Sequence, residues 1–161
     1  MTDVKPTQQS ILRRAARLAA VQALYSMDLS GELDKKVVRE FREDHFGHAE
    51  EDGKIEADEA FFEELVLGVV SKQTEVDAAI AEHLSKKWSL KRLDITLRAI
   101  MRAASFEIMQ RPDVPALVVI DEYVSIAADF FEGSEPGFVN GALDKLARKV
   151  RAAEFGLVGQ A

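Results

Sequence analysis

The sequence predicts an all-α protein. Three observations carry that reading: only 4 prolines and 9 glycines in 161 residues, apolar residues recurring at spacings of three and four, and hardly any stretch that alternates strictly between apolar and polar. A hydrophobic fraction of 47% at this length is enough for one domain with its own core. No apolar run approaches the roughly 18 residues of a membrane span. The absence of cysteine excludes disulfides, thiolate catalysis and cysteine zinc sites, and makes a reducing cytoplasm the expected setting.

A first helix is expected from about Gln8 to Leu29, capped by Thr7 or Ser10 and stopped by Gly31. A second, from about Asp34 to Phe46, places Val37, Val38, Phe41 and His45 on one side. "GHAEEDGKIEA", residues 47–57, holds two glycines and a run of acids and reads as an acidic, solvated loop. Asp58 then caps a long helical region with Phe61, Phe62, Leu65, Val69, Val76, Ile80 and Leu84, broken near Ser71 to Thr74. From Ser89 to Gln110 a further helix carries Leu93, Leu97, Ile100, Met101, Ala104 and Ile108 at core spacing, and Pro112 and Pro115 end it. "PALVVIDEYVSIAADFF" has Pro115 at a first-turn position and one stripe of Leu117, Ile120, Val124, Ala127 and Phe131. Its opening "ALVVI" has a strand-like composition, yet nothing in the chain is an obvious strand partner, so helix is preferred. A last helix, about Glu135 to Phe155, turns Phe138, Leu143, Leu146 and Val150 inward. The whole of 1–161 is expected to form a single helical domain, with a flexible N-terminus over 1–9 and a tail over 156–161.

Little of this suggests catalysis. His45 and His48, beside Glu43 and Asp44, lie at a helix end running into a flexible loop, and the pattern fixes no third ligand, so no metal site is read here. The sequence has no "HExxH", "GxxxxGK", "GxSxG" or "GxGxxG". Adjacent acids such as Asp121 and Glu122, or Glu63 and Glu64, point about 100° apart on a helix and do not converge on one substrate atom.

The basic start of the chain is different in kind. From Val4 to Met27 the chain carries Lys5, Arg13, Arg14 and Arg17 and no acid, a charge of +4. The chain as a whole is −7, which leaves −11 for everything outside that stretch. Such polarisation points to an anionic partner. A secretory leader is not read into it, because Gln22 interrupts the apolar part and "YSMDLSG" is a poor cleavage site. At about 100° per residue, Arg13, Arg17 and Arg14 fall at about 0°, 40° and 100°, with Leu24, Val21 and Tyr25 on the same arc one to three turns later. The face is cationic first and apolar afterwards, so the first turns are expected to project from the edge of the core into water. Cations near a helix N-terminus oppose its dipole by a few tenths of a kcal/mol. The residues alone leave anion binding and a structural role equally open. If the anion is nucleic acid, a single RNA strand suits so acidic a chain, with guanidinium groups on phosphates and Tyr25 and Gln22 near the bases.

"RRAARLAAVQALYSMDLSG" resembles the opening helix of the bacterial NusB family of transcription antitermination factors. "FFEELVLGVV", "LRAIMRAASFEIM", "PDVPALVVIDEYVSIAADF" and "FVNGALDKLAR" are similar to later helices of that family, in family order over about residues 10 to 150. The resemblance implies a compact bundle of about seven helices in two subdomains, without catalysis or cofactor. It implies binding of single-stranded boxA RNA in ribosomal RNA transcripts together with NusE, a small-subunit ribosomal protein, and assembly with other Nus factors on RNA polymerase. By that likeness the RNA surface comprises Arg13, Arg14, Arg17, Gln22 and Tyr25 on the first helix, with Phe138 and Asn140 from "FVNG" at the start of the last.

In those roles the arginines hold phosphate, Phe138 stacks a base, and Gln22 and Asn140 read base edges or fix the helices together. Asn140 is equally suited to a local hydrogen bond, and Gly141 to close helix packing. The chain departs from the family at Ala15, where a third consecutive arginine is common, and at "EPG" before Phe138, where a basic residue or histidine is common. Glu135 is unfavourable beside RNA, and the loop over 47–57 is longer than usual. Two alternatives accompany this expectation. One is the NusB-like domain of ribosomal RNA methyltransferases, for whose catalytic domain 161 residues leave no room. The other is a protein-binding helical adaptor whose arginines meet an acidic partner. Self-association of the free chain through its basic and apolar first helix is a further expectation.

Overall fold

A computed structural model describes residues 6–48, 53–84 and 89–157. Among these residues there are seven α-helices and no strand. The chain divides into two units, Met1–Leu67 and Gly68–Ala161. The expectations for residues 1–5, 49–52 and 158–161 lie outside the described residues.

In the first unit, α1 (Gln8–Ser30) begins where Thr7 Oγ1 accepts the Ser10 amide at 3.0 Å and ends at Gly31. Gly31 takes φ 73° and returns its N–H to the Met27 carbonyl, the left-handed stop that glycine allows without a Cβ clash. α2 (Asp34–Glu40) packs on α1 and buries Val37 and Val38. The expected continuation to Phe46 is instead a π-helical turn, Phe41–His45, closed by the Phe46 amide on the Phe41 carbonyl at 3.0 Å. The wider turn leaves His45 exposed, its ring stacked 4.4 Å from Phe41, and brings Phe46 inward instead.

Phe41 and Phe46 both pack on Phe62 of α3 (Glu59–Ser71), at 5.2 Å stacked and 4.9 Å edge-on. Asp58 caps α3 as expected, its Oδ1 accepting the Phe61 amide at 3.0 Å. Within 47–57 the described residues include a bridge: Gly47 donates to the Ile55 carbonyl at 3.0 Å and Ile55 to that of His45 at 2.9 Å.

In the second unit, α3 gives way at Lys72 to α4 (Gln73–Glu82), the break expected near Ser71 to Thr74. Ser89 does not open the next helix. Leu90–Arg92 is one 3₁₀ turn, Leu93 is extended, and α5 (Ile95–Gln110) starts on Asp94, whose Oδ1 accepts the amides of Thr96 at 2.8 Å and Leu97 at 3.3 Å. α5 is the most deeply buried helix, enclosed by α4, α6 (Ala116–Phe130) and α7 (Glu135–Val150).

"ALVVI" is helical, but the buried stripe of α6 differs from the expected one. Ala116, Val119, Ile120, Tyr123, Ile126 and Ala127 face in, whereas Leu117 is 63% exposed. The stripe is set by Tyr123, fully buried with its hydroxyl donating to Glu107 Oε1 of α5 at 3.0 Å, and this turns Leu117 to the opposite side. α7 stops at Val150, which is exposed, because Arg151 turns into the unit and a 3₁₀ turn, Ala152–Phe155, follows.

Candidate functional site

The arginine face of α1 is turned differently from the expected projection into water. Arg17 is 2% exposed. It and Arg13, one turn apart, each place a guanidinium carbon 5.2 Å from the centre of the Phe61 ring. Arg13 also has Nε 3.8 Å from Asp58 Oδ2, so an acid far along the chain meets a cluster that has none nearby in sequence. Asp58 and Phe61 are thereby tied to α1 twice over, since the Asp58 amide also donates to the Leu12 carbonyl at 3.0 Å. Weakly hydrated guanidinium groups stack readily on aromatic faces, and that is how Arg17 is accommodated beneath the surface.

What remains outside is a second stripe. Counted from Arg13, the exposed Arg14, Tyr25, Ile11 and Gln22 fall at about 100°, 120°, 160° and 180°, with half-buried Leu18 at about 140° and exposed Leu29 at about 160°. Arg17, Leu24 and Val21, at about 40°, 20° and 80°, face the core. The true boundary between core and solvent therefore runs through the arc expected from sequence, just short of Arg14 and Tyr25. Tyr25 is 39% exposed, and neither its hydroxyl nor the Gln22 amide has a hydrogen-bond partner among the described residues. The apolar members of this stripe, exposed Ile11 and Leu29 and half-buried Leu18, were missed by sequence reasoning, although the three and four spacing of the stripe was there to be read.

In the second unit, Phe138 is half-buried in the first turn of α7, and Asn140 is exposed with no side-chain partner among the described residues. A local hydrogen bond is thus not what Asn140 makes here. Gly141 is not a packing glycine either, for a Cβ built on it would meet nothing within 4 Å. Glu135 is half-buried, with Oε1 enclosed and folded back over Gly133, where an added Cβ would lie 2.8 Å from it. No group of three or more acids and histidines among the described residues is arranged to hold a metal ion, and His45 and His48 are both exposed.

The fold and these surfaces define an all-helical binding protein, with polar and aromatic groups presented on helix faces. The NusB family model matches residues 14–148, and the chain belongs to that family. It is a noncatalytic transcription antitermination factor. It is 56% identical over 145 residues to the transcription antitermination protein NusB of Maricaulis maris, covering 89% of this chain and 91% of that protein. To the corresponding protein of Caulobacter vibrioides it is 53% identical over 140 residues, covering 86% and 94%.

Among solved structures, T. maritima NusB superposes with a TM-score of 0.73 at 27% identity, over 90% of this chain and 97% of that one. A chain from the crystal structure of antitermination factors NusB and NusE in complex with dsRNA has the same fold, with a TM-score of 0.67 at 24% identity, over 84% and 96%. No described helix is long and apolar enough to cross a membrane.

Proposed function

We propose that this chain binds single-stranded boxA RNA of ribosomal RNA transcripts together with NusE, in the cytoplasm, as one domain within an antitermination complex that includes RNA polymerase and other Nus factors. The observation that carries this reading is the exposed stripe of α1, where Arg14, Gln22 and Tyr25 stand on one face and the polar groups of Gln22 and Tyr25 have no protein partner among the described residues. In that role Arg14 and the exposed part of Arg13 hold phosphate, Tyr25 stacks a base, and Gln22 reads a base edge. Arg17 acts from beneath, fixing the α1 face through Phe61. On the second unit Phe138 supplies a stacking surface and Asn140 a free amide. With Ala15 where the family often has arginine, affinity for RNA alone is modest and depends on NusE.

The test is RNA affinity with and without NusE, against a scrambled RNA of equal length. Replacing Arg13, Arg14 and Arg17 by Ala weakens boxA binding and flattens its salt dependence by about 0.7 for each lost phosphate contact. Because Arg17 is buried, the pair Arg14→Ala and Tyr25→Ala is the cleaner variant. Unchanged RNA affinity in that pair overturns the assignment and leaves the protein-binding adaptor as the better reading.

The apolar members of the same stripe, Ile11, Leu18 and Leu29, support a second reading for the free state. Two copies pair α1 against α1 and cover the RNA face. Sedimentation then shows dimer that RNA dissociates, and monomer throughout at high concentration counts against it.

A further inference from the structure

The outward side of α6 belongs neither to the stripe on α1 nor to the residues of α7 described above. Eleven of the fifteen residues of Ala116–Phe130 are apolar, more than one buried side uses. A surface helix ordinarily confines its apolar residues to a stripe of roughly 100° or somewhat more, and here they continue around it. Leu117, Asp121, Val124 and Ala128 stand one above another at successive turns, within about 40° of Leu117, with Val118 and Asp129 beside them at about 100° and 120°. Leu117 is 63% exposed and Val118 43%, and Val124 is half-buried.

The charge on this side has one sign. From Pro112 to Leu143 the chain carries six acids and no lysine, arginine or histidine. Asp113 is met by Arg111, Glu122 is engaged, and Glu135 folds back over Gly133. Asp121, Asp129 and Glu132 are exposed, with no partner among the described residues. Nor is the balance supplied by the helices packed on α6. On α5, Arg102 is paired with Asp77 of α4 at 2.9 Å. On α7, Arg148 is paired with Asp144 at 2.9 Å and Lys149 with Glu82 of α4 at 2.6 Å, while Lys145 acts, with Lys149, on His83 at the end of α4.

Unmatched carboxylates repel a phosphate strand or an anionic membrane surface. A cationic amphipathic segment suits both properties of this face, with apolar side chains over Leu117, Val118 and Val124 and with lysines or arginines on Asp121, Asp129 and Glu132. The row from Leu117 to Ala128 runs straight along the helix for about 16 Å, the length of three turns, and a second helix laid beside it matches that spacing. We propose that the outward face of α6 docks a basic amphipathic helix of a partner protein. The surface lies within the second unit, and the proposal does not depend on the RNA reading of α1.

The experiment measures the anisotropy of a fluorescein-labelled helical peptide, with leucines at i, i+4, i+7 and i+11 flanked by lysines, added to the full chain. Two further peptides carry glutamine for lysine and alanine for leucine. Saturable binding is expected for the first, weaker by about tenfold for each altered peptide. A loss of about tenfold is also expected in the Asp121→Lys, Asp129→Lys double variant and in Leu117→Ser. A chain of −7 attracts any cationic peptide, so Glu43→Lys with Asp44→Lys, exposed acids of the first unit, supplies the same change of net charge elsewhere. Binding is expected to be unchanged in that pair. The proposal is overturned by no saturable binding up to about 1 mM, by binding that ignores the peptide changes or Leu117→Ser, or by an equal loss in both charge variants, which would reduce the attraction to net charge. Self-association in sedimentation that Asp121→Lys with Asp129→Lys abolishes, without peptide binding, would give the face to a second copy of the chain instead.

Discussion

The guanidinium of Arg17 lies 5.2 Å from the centre of the Phe61 ring, with the residue 2% exposed. A cation is costly to bury, and here the cost is offset by a flat, weakly hydrated group lying against an aromatic face. Arg13 shares the ring from one turn earlier and is also near Asp58. The three arginines are therefore two kinds of residue: Arg13 and Arg17 join α1 to α3, and Arg14 faces solvent.

That division predicts unequal effects on stability. Arg17→Ala should lower the unfolding free energy by about 2 to 3 kcal/mol, since a desolvated cation–π contact and packing are lost together. Arg14→Ala should stay within about 0.5 kcal/mol of the parent. Urea unfolding at constant slope measures both, and equal losses would argue against the division.

Gly68 stands against the ring of Phe106, and a Cβ built there would be 2.1 Å from Cζ. On helix propensity alone, Gly68→Ala would stabilise by about 1 kcal/mol. The ring is buried and has little room to yield, so overpacking of about 1 to 3 kcal/mol should win and make the change destabilising. Combining Gly68→Ala with Phe106→Leu should recover part of the loss. A gain in thermal midpoint for Gly68→Ala alone would show that the ring gives way.

The helices were legible where local chemistry decides them. Thr7 and Gly31 bound α1, Asp58 opens α3 and the prolines close α5, because capping and φ restriction act within a turn. What was not legible depends on distant partners. Phe61 decides that Arg17 is buried, and Glu107 decides which face of α6 turns inward through Tyr123. The start of α5 was missed because Leu93 fits the apolar period although its backbone is extended, while Asp94, a good cap in sequence, was passed over. Of the residues proposed to meet RNA, the arginines, Gln22 and Tyr25 were legible as one helix face, whereas Phe138 and Asn140 came from family likeness alone. The structure separates Arg14, Gln22, Tyr25 and Asn140, which are exposed, from Arg17, which is not.

Arg151, 8% exposed, donates to the carbonyls of Glu107 at 3.1 Å, Ile108 at 2.9 Å and Arg111 at 2.7 Å, and also to that of Val114. One side chain thus gathers four carbonyls at the end of α5 and the turn after it, of which those of Glu107 and Arg111 also accept the Arg111 and Val114 amides, and places a cation at the negative end of that helix. Arg151→Lys should not substitute, because an ammonium on a flexible stem cannot span this fan of acceptors. A loss of about 2 to 4 kcal/mol is expected for either Lys or Ala, from the loss of several charge-assisted hydrogen bonds at once, those to Ile108 and Val114 above all. Amide exchange should quicken first around residues 107–111. Full stability in the Lys variant would mean that charge alone suffices.

Glu154 completes the same corner from the other side. Its Oε1 accepts the Ala116 amide that opens α6 at 2.8 Å, and its Oε2 accepts from Arg151 Nη1 at 3.2 Å. The amide, followed by the Arg151 guanidinium, holds the Glu154 carboxyl below its usual 4.5. A folded-state value below the unfolded one means that the ionised carboxylate stabilises the fold above about pH 4.5, and that this contribution fades as pH falls through the lower folded value. Other carboxylates titrate in the same window, Glu82 beside Lys149 among them, so the comparison must be with Glu154→Gln. That variant keeps an oxygen acceptor and cannot ionise. Urea midpoints should be lower for the variant near neutral pH, with the gap closing below about pH 4. A gap that is constant across pH would mean that the hydrogen bond matters there and the charge does not.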